Sequence, residues 1–416
     1  MNNQRVYVDW AAATPLLPEA KCAMEPYLDG CFGNPSAVHA EGQQARAAVE
    51  DARATVAKAV QVRPEYITWT SGGTEGNNLA IFGVVESLVT SPKGNPSFGL
   101  GDRPYESMSV ITTKIEHPSV DKAFAALEAR GVQVRYVHVT QAGKIDLEHL
   151  RTLLDESVVL VSTALINSEI GTTQPTRAIH KILHEAEVKY KTSIFFHLDA
   201  AQAPLWVNCQ FDALAADLVT FDAAKCCGPK GVGVLVRRAR VTLAHVLHGG
   251  GQESGLRPGT ENVAGIVGAA VAIKWAQGDY QTRAESVATV RDQAIRHIQA
   301  EIPEALVNGV TPPKSKGNPS IRVGCDRVAN NINISIPGLD TEFAAVVLDK
   351  HGFAVSTKSA CSGAGGGAST VVLETTKDPA RANATLRITL GPNTTLDQLK
   401  SLTEVLKKHV EQMSQY

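Results

Sequence analysis

Lys225 stands between two apolar runs, 26 positions beyond Asp199. Asp199 closes the run Ile194-Phe195-Phe196-His197-Leu198, and an amide follows it at Gln202. Downstream of the lysine, Gly228-Pro229-Lys230-Gly231 is a tight turn that opens another apolar run. Most lysines are solvated surface charges, but an amine held between apolar segments with an acid at a strand end has chemical uses. The amine can condense with an aldehyde cofactor while the acid pairs with the nitrogen of the cofactor ring, which is how many enzymes hold pyridoxal phosphate.

Other candidates surround this pair. Thr70-Ser71-Gly72-Gly73-Thr74-Glu75 leaves a strand and opens a helix. Its glycines allow close approach of an anion, and a helix start offers free N–H groups and the positive end of a dipole. An ordinary strand-to-helix turn with a threonine or serine cap has the same pattern. His117 follows the run Val110 to Thr113 and precedes Pro118, a favoured first helical residue. It can stack on a ring and move protons near neutral pH, or simply cap the helix. Cys361 lies in Ser359-Ala360-Cys361-Ser362-Gly363-Ala364-Gly365-Gly366-Gly367. Glycine gives such a loop freedom to travel, which suits a thiol that reaches into a site and carries something out; an exposed cysteine in a disordered loop fits equally. Arg387 is a charge inside the apolar strand Leu386 to Leu390, where a substrate carboxylate would match its planar fork and a structural salt bridge would also serve. Cys226 and Cys227 lack further clustered ligands, so they read as small packing residues and no metal site is expected.

The elements that must position these residues follow from hydrophobic periodicity. Short β-branched runs at 66–70, 110–113, 132–139, 158–165, 194–198, 218–221 and 233–236 read as strands. Helical candidates at 75–89, 118–129 and 176–190 lie between several of them. This alternation predicts an α/β fold with a mostly parallel central sheet covered on both faces, whose ligands sit beyond the carboxyl ends of the strands. Thr70, Thr113, Leu165, Asp199 and Phe221 all fall near those ends. Residues 91–107, with three prolines and three glycines, read as an inserted loop. After about residue 265 the rhythm changes to a long helical stretch reaching about Ile302, a polar stretch at 311–318, strands at 331–336 and 384–390, and a closing helix over 396–413. That part is expected to form a smaller α+β domain.

With 40 basic and 42 acidic side chains in 416 residues, the net charge of −2 marks neither a nucleic-acid nor a membrane partner. The seven cysteines are odd in number and scattered, as in a reducing compartment. There is no apolar leader and no run of eighteen apolar residues, so a cytoplasmic enzyme is expected.

Over nearly its whole length the chain resembles the cysteine desulfurases, pyridoxal-phosphate-dependent transferases of fold type I that share the aspartate aminotransferase fold. The resemblance rests on Val8 to Pro15, Phe32 to Ser36, Thr70 to Asn78, Glu116-His117 and Asn167 to Gly171. It continues through Asp199 to Gln202, Lys225 to Gly231, Gly249 to Glu253 and Arg257 to Asn262. It implies a large cofactor domain over 15–265 and a small domain of 1–14 plus 266–416 that carries the catalytic cysteine. Lys225 would carry the cofactor and move the α-proton, with Asp199 at the pyridine nitrogen, Gln202 at the ring oxygen, Ser168 nearby and His117 stacked on the ring. Gly73 and Thr74 would hold the phosphate, with Thr260 arriving from the second subunit of a homodimer. Arg387 and Asn167 would bind the substrate, L-cysteine, and Cys361 would become a persulfide as alanine leaves, passing sulfur to an acceptor protein.

The chain departs from the family's pattern in three respects. Where relatives have Ser-x-His ahead of the lysine to help bind phosphate, this chain has Asp222, Ala223 and Ala224, and an acid there repels phosphate unless it turns away or is neutralised. Asn167-Ser168 replaces two asparagines. No long extension of the kind some relatives use to dock an iron–sulfur scaffold follows the last helix. Selenocysteine lyase resembles the chain as well, and a catalytically idle homologue acting as a binding protein is the rival of a different class.

Overall fold

The apolar runs of the first two thirds of the chain gather into one seven-stranded sheet. The computed structural model describes residues 5–89, 103–310, 326–357 and 367–413. After a two-residue strand, β1 (Val6–Tyr7), the sheet is built from β2 (Ile67–Thr70), β3 (Ser109–Thr112), β4 (Gln133–Tyr136), β5 (Val158–Ala164), β6 (Phe195–Asp199), β7 (Leu218–Asp222) and β8 (Gly233–Arg237). Their order is β2-β8-β7-β6-β5-β3-β4. Only β8 runs antiparallel to its neighbours, so the expected mostly parallel sheet is present.

Consecutive residues divide between the two faces, as the pleat requires. Val110, Leu160, Phe195, Leu218 and Leu235 pack under the helices Gly73–Val89 and Pro118–Glu128. Their neighbours Ile111, Val161, Phe196, Val219 and Val236 join the core beneath the helices Ala40–Val60, Thr176–Tyr190 and Val263–Gly278. With both faces covered, the strands are buried almost throughout, which explains why they read as continuous apolar runs. The expected strand over 132–139 is only four residues long. Past Tyr136 the edge strand has Thr112 O alone to bond (Val137 N, 2.8 Å), and the chain then closes a turn over Thr140 to Lys144.

The Gly73–Val89 helix lies close to the sheet because Gly76 has no side chain; a Cβ there would stand 2.6 Å from Thr220 Cγ2. This contact fixes the helix start directly over the ends of β6 and β7.

Beyond the Val263–Gly278 and Tyr280–Glu301 helices, β10 (Asn331–Ser335) pairs antiparallel with β9 (Leu306–Val307) and β12 (Thr385–Thr389). β1 pairs in parallel with β11 (Phe353–Ala354), so the amino terminus joins the carboxyl-terminal third. The Leu396–Met413 helix packs on Tyr280–Glu301. Residues 311–318 and most of the 91–107 loop lie outside the described residues; Tyr105–Ser107 forms a short 3-10 turn. Among the described residues no helix is long and apolar enough to cross a membrane.

Candidate active site

Thr70, Thr112, Ala164, Asp199 and Asp222 end their strands on one rim, and a cleft opens there. It gathers Gly73, Thr74, His117, Asn167, Ser168, Asp199, Gln202, Lys225 and Arg387 from the residues singled out in the sequence. Thr260 is exposed and does not line it. Cys361 lies outside the described residues.

Asp199 anchors one end. Buried at the tip of β6, its Oδ1 accepts Ala201 N–H at 3.0 Å and its Oδ2 accepts Asn77 Nδ2–H at 2.8 Å. The second Asn77 N–H goes to Ser119 Oγ at 2.9 Å, and Ser119 Oγ lies 2.8 Å from His117 Nδ1. Because Ser119 N–H also donates to Nδ1 (3.2 Å), that nitrogen is an acceptor and the ring carries its proton on Nε2. Burial lowers the His117 pKa, with Lys225 adding to the effect and Asp199 opposing it, which agrees with a neutral ring. The histidine therefore caps the Pro118–Glu128 helix and lines the cleft at once.

Two buried groups support this end from behind. Glu116 accepts hydrogen bonds from Thr113 Oγ1 (2.6 Å), Thr163 Oγ1 (3.0 Å) and Ala164 N (2.7 Å). Burial still pushes its pKa up to about 7, and the Asp199 charge adds to the rise. His197, two residues before Asp199 on β6, is bridged by Ser162 Oγ (2.8 Å) and Thr220 Oγ1 (3.0 Å) on the flanking strands, and burial lowers its pKa to about 4.

Lys225 closes the 3-10 turn Ala223–Lys225 after β7, and its Nζ donates to Ala11 O (3.1 Å) and to Ala12 O. Gln202 Nε2 reaches the same Ala11 O at 2.9 Å. Thr14 latches this amino-terminal segment to the lysine turn through Thr14 N to Ala224 O (3.0 Å) and Cys227 N to Thr14 Oγ1 (2.7 Å). Cys226 and Cys227 are buried in the core, and burial raises both thiols.

At the other end of the cleft, the turn before the Gly73–Val89 helix is tied by Ser71 N to Glu75 Oε2 (2.6 Å), and Gly72 has the positive φ (149°) that favours glycine. Asp222 does not turn away from this turn. Its Oδ2 accepts Gly73 N–H at 3.2 Å and its Oδ1 accepts Ala224 N–H at 2.9 Å. Opposite, Arg387 is 1 % exposed and donates to Asp9 Oδ1 (2.9 Å) and Ser168 O (3.1 Å), while its Nε has no partner. Asn167 holds the following turn, donating to Ile115 O and accepting from Glu169 N and Ile170 N.

These residues fit pyridoxal phosphate. A carboxylate fixed by two donors suits a pyridine nitrogen, a lysine amine held by carbonyls suits the aldehyde, and two residues that line the cleft, Asn77 and Arg387, each keep a buried polar atom (Oδ1 and Nε) without a partner. Asn77, Glu116 and the Asp222 to Gly73 contact carry no role in the sequence reading. For Asn77 a signal existed, since it lies one helical turn after Gly73 and so faces the same rim.

The sheet order and the lysine-bearing cleft are those of the fold-type I transferases that use pyridoxal phosphate. The aminotransferase class-V family model matches residues 6–402. Cysteine desulfurase IscS of Dictyoglomus turgidum is 36% identical over 410 residues, covering 99% of this chain and 95% of the relative. Among solved structures, a NifS-like protein superposes with a TM-score of 0.84 at 29% identity, covering 98% of this chain and all of the other. SspA in complex with cysteine follows with a TM-score of 0.73 at 27% identity, over 93% of this chain and 99% of the other. The chain belongs to the aminotransferase class-V family and, within it, to the cysteine desulfurases.

Proposed function

We propose that the protein is a pyridoxal-phosphate-dependent cysteine desulfurase that converts L-cysteine to L-alanine and passes the sulfur through Cys361 to an acceptor protein. The observation that carries this reading is the convergence of Lys225, Asp199, His117 and Arg387 on one cleft. When bound, the cofactor draws electrons from the Cα of an attached amino acid and so opens the substrate sulfur to attack.

The chain's own residues divide the remaining work. Asp199, fixed by Ala201 N–H and Asn77, keeps a negative charge for the ring nitrogen. Gln202 and Ser168 serve the ring oxygen, and neutral His117 lies against the ring. Gly73 and Thr74 hold the phosphate, with Thr260 of the partner subunit completing the grip in a homodimer. Lys225 moves the proton at Cα. The Arg387 fork, already bonded to Asp9 and with Nε unmet, receives the substrate carboxylate with Asn167 behind it. The Cys361 thiolate bonds to the substrate sulfur as the Cβ–S bond breaks, whose electron pair stays with the carbon skeleton that is protonated and leaves as alanine. A cytoplasmic setting agrees with free thiols throughout the described residues.

The test is turnover of L-cysteine, reading alanine and protein-bound persulfide. Cys361→Ser is expected to keep the yellow bound cofactor and to stop alanine release; undiminished turnover in that variant removes Cys361 from the mechanism. Turnover of selenocysteine with none of cysteine would overturn the assignment in favour of a lyase.

A further inference from the structure

The carboxylate of Asp222 sits on the donor that a phosphate at this helix start requires. Its Oδ2 accepts Gly73 N–H, the first amide of a 17-residue helix, at 3.2 Å, across 149 residues of sequence. The contact is built in from both sides. Oδ1 is fixed by Ala224 N–H at 2.9 Å, so the carboxylate bridges the lysine turn and the phosphate turn. Gly73 leaves room for it, since a Cβ at that position would stand 3.3 Å from Oδ2 and 3.4 Å from Asp222 Cβ. Thr74 N–H and Oγ1 make no hydrogen bond among the described residues and remain for an incoming anion. A second anion brought to the same helix start meets a donor already engaged and a like charge beside it, and both effects weaken its hold.

We propose that Asp222 is a resident anion that sets how strongly the cleft holds the phosphate of its cofactor, so that affinity rests mainly on the ring end and the lysine. The inference rests on the pyridoxal-phosphate reading above and concerns one residue's part in it. Bound phosphate must displace the Asp222 carboxylate from Gly73 N–H or share the turn with it, which keeps the cofactor exchangeable and leaves its phosphate with a small share of the binding.

Pyridoxal and pyridoxal phosphate differ only in the phosphate, so the ratio of their dissociation constants measures the phosphate end alone. Apoprotein is titrated with each compound by equilibrium dialysis and by absorbance of the bound cofactor, for wild type, Asp222→Ser and the near-isosteric Asp222→Asn. Asp222→Ser frees Gly73 N–H and is expected to raise the ratio by about tenfold or more, the scale of one hydrogen bond to a charged group. Asp222→Asn, which removes the charge and keeps the shape, is expected to raise it by a smaller factor. If wild type binds pyridoxal phosphate and the ratio stays within about twofold in both variants, the inference is overturned and the cofactor reading stands. If no form of the protein binds either compound, the cofactor reading itself fails, and the inference with it.

Discussion

The two ends of the cleft are built on opposite plans. At the ring end, Asp199, Asn77, Ser119 and His117 form one chain of hydrogen bonds, and Glu116, just before the Pro118–Glu128 helix, and His197, on β6, support it from behind. Each group is tied to its neighbours by hydrogen bonds within the protein, so its geometry is set before any ligand arrives. At the end proposed for the phosphate, a carboxylate already occupies Gly73 N–H, and Thr74 remains exposed. The contrast separates two properties that one site usually combines. On the proposed reading the ring end fixes orientation and electron demand and supplies most of the hold on the cofactor, whereas the phosphate end adds a small share that a single side chain can alter.

The largest break in this comparison comes from the residue between the two ends. Lys225→Ala is expected to lower cysteine turnover by at least about 10³-fold, the scale found when a group acting jointly with its neighbours is removed. Borohydride should fix the cofactor to wild type but not to this variant, and a loss of only about tenfold would move the proton transfer to another residue. A smaller effect is expected from Asn77→Ala, which strips Asp199 of one donor and releases Ser119 and His117. Loss of a hydrogen bond to a charged group predicts about a tenfold to hundredfold fall in kcat/KM. The affinities for pyridoxal and pyridoxal phosphate should fall together, because the ring end serves both compounds alike. A selective loss of pyridoxal phosphate affinity would show that Asn77 belongs to the phosphate end.

The same contrast decides what the sequence could reveal. Strand ends and a helix cap are local events. The β-branched runs exposed β5, β6 and β7, Asp199 closes one of them, and His117 precedes a proline; periodicity and capping rules suffice for these. The departure at Asp222 was visible as an acid in a phosphate-binding position, but its contact with Gly73 joins segments 149 residues apart and depends on how closely the helix approaches the sheet. Arg387 shows the same limit, because its partner Asp9 lies 378 positions away and two readings of a buried arginine stayed open. Here the structure supplies both a salt bridge and a buried Nε without a partner on a residue that lines the cleft. The two-residue strands β1, β9 and β11 exist only through pairing with distant partners, so no local pattern marks them.

The smallest effect on turnover, and the most direct probe of the buttress, is expected from Glu116→Gln. Burial raises the carboxyl of Glu116 from 4.5 to about 7, so between those values the folded state holds a proton that the unfolded chain has released. The stability this group contributes is therefore complete below about pH 4.5 and is lost as the pH rises through about 7. His197, lowered from 6.5 to about 4, acts with the opposite sign, contributing stability above pH 6.5 that is lost as the pH falls through about 4. Both groups shape the wild-type curve, but only Glu116 differs between wild type and variant. The difference in unfolding free energy between the two proteins should thus shift in the variant's favour from pH 5 to pH 8, by on the order of 2 kcal/mol. Denaturant unfolding at several pH values measures it. A constant offset across that range would mean that Glu116 keeps its charge throughout, held by its three donors, and that the ring end rests on two fixed carboxylates and not one.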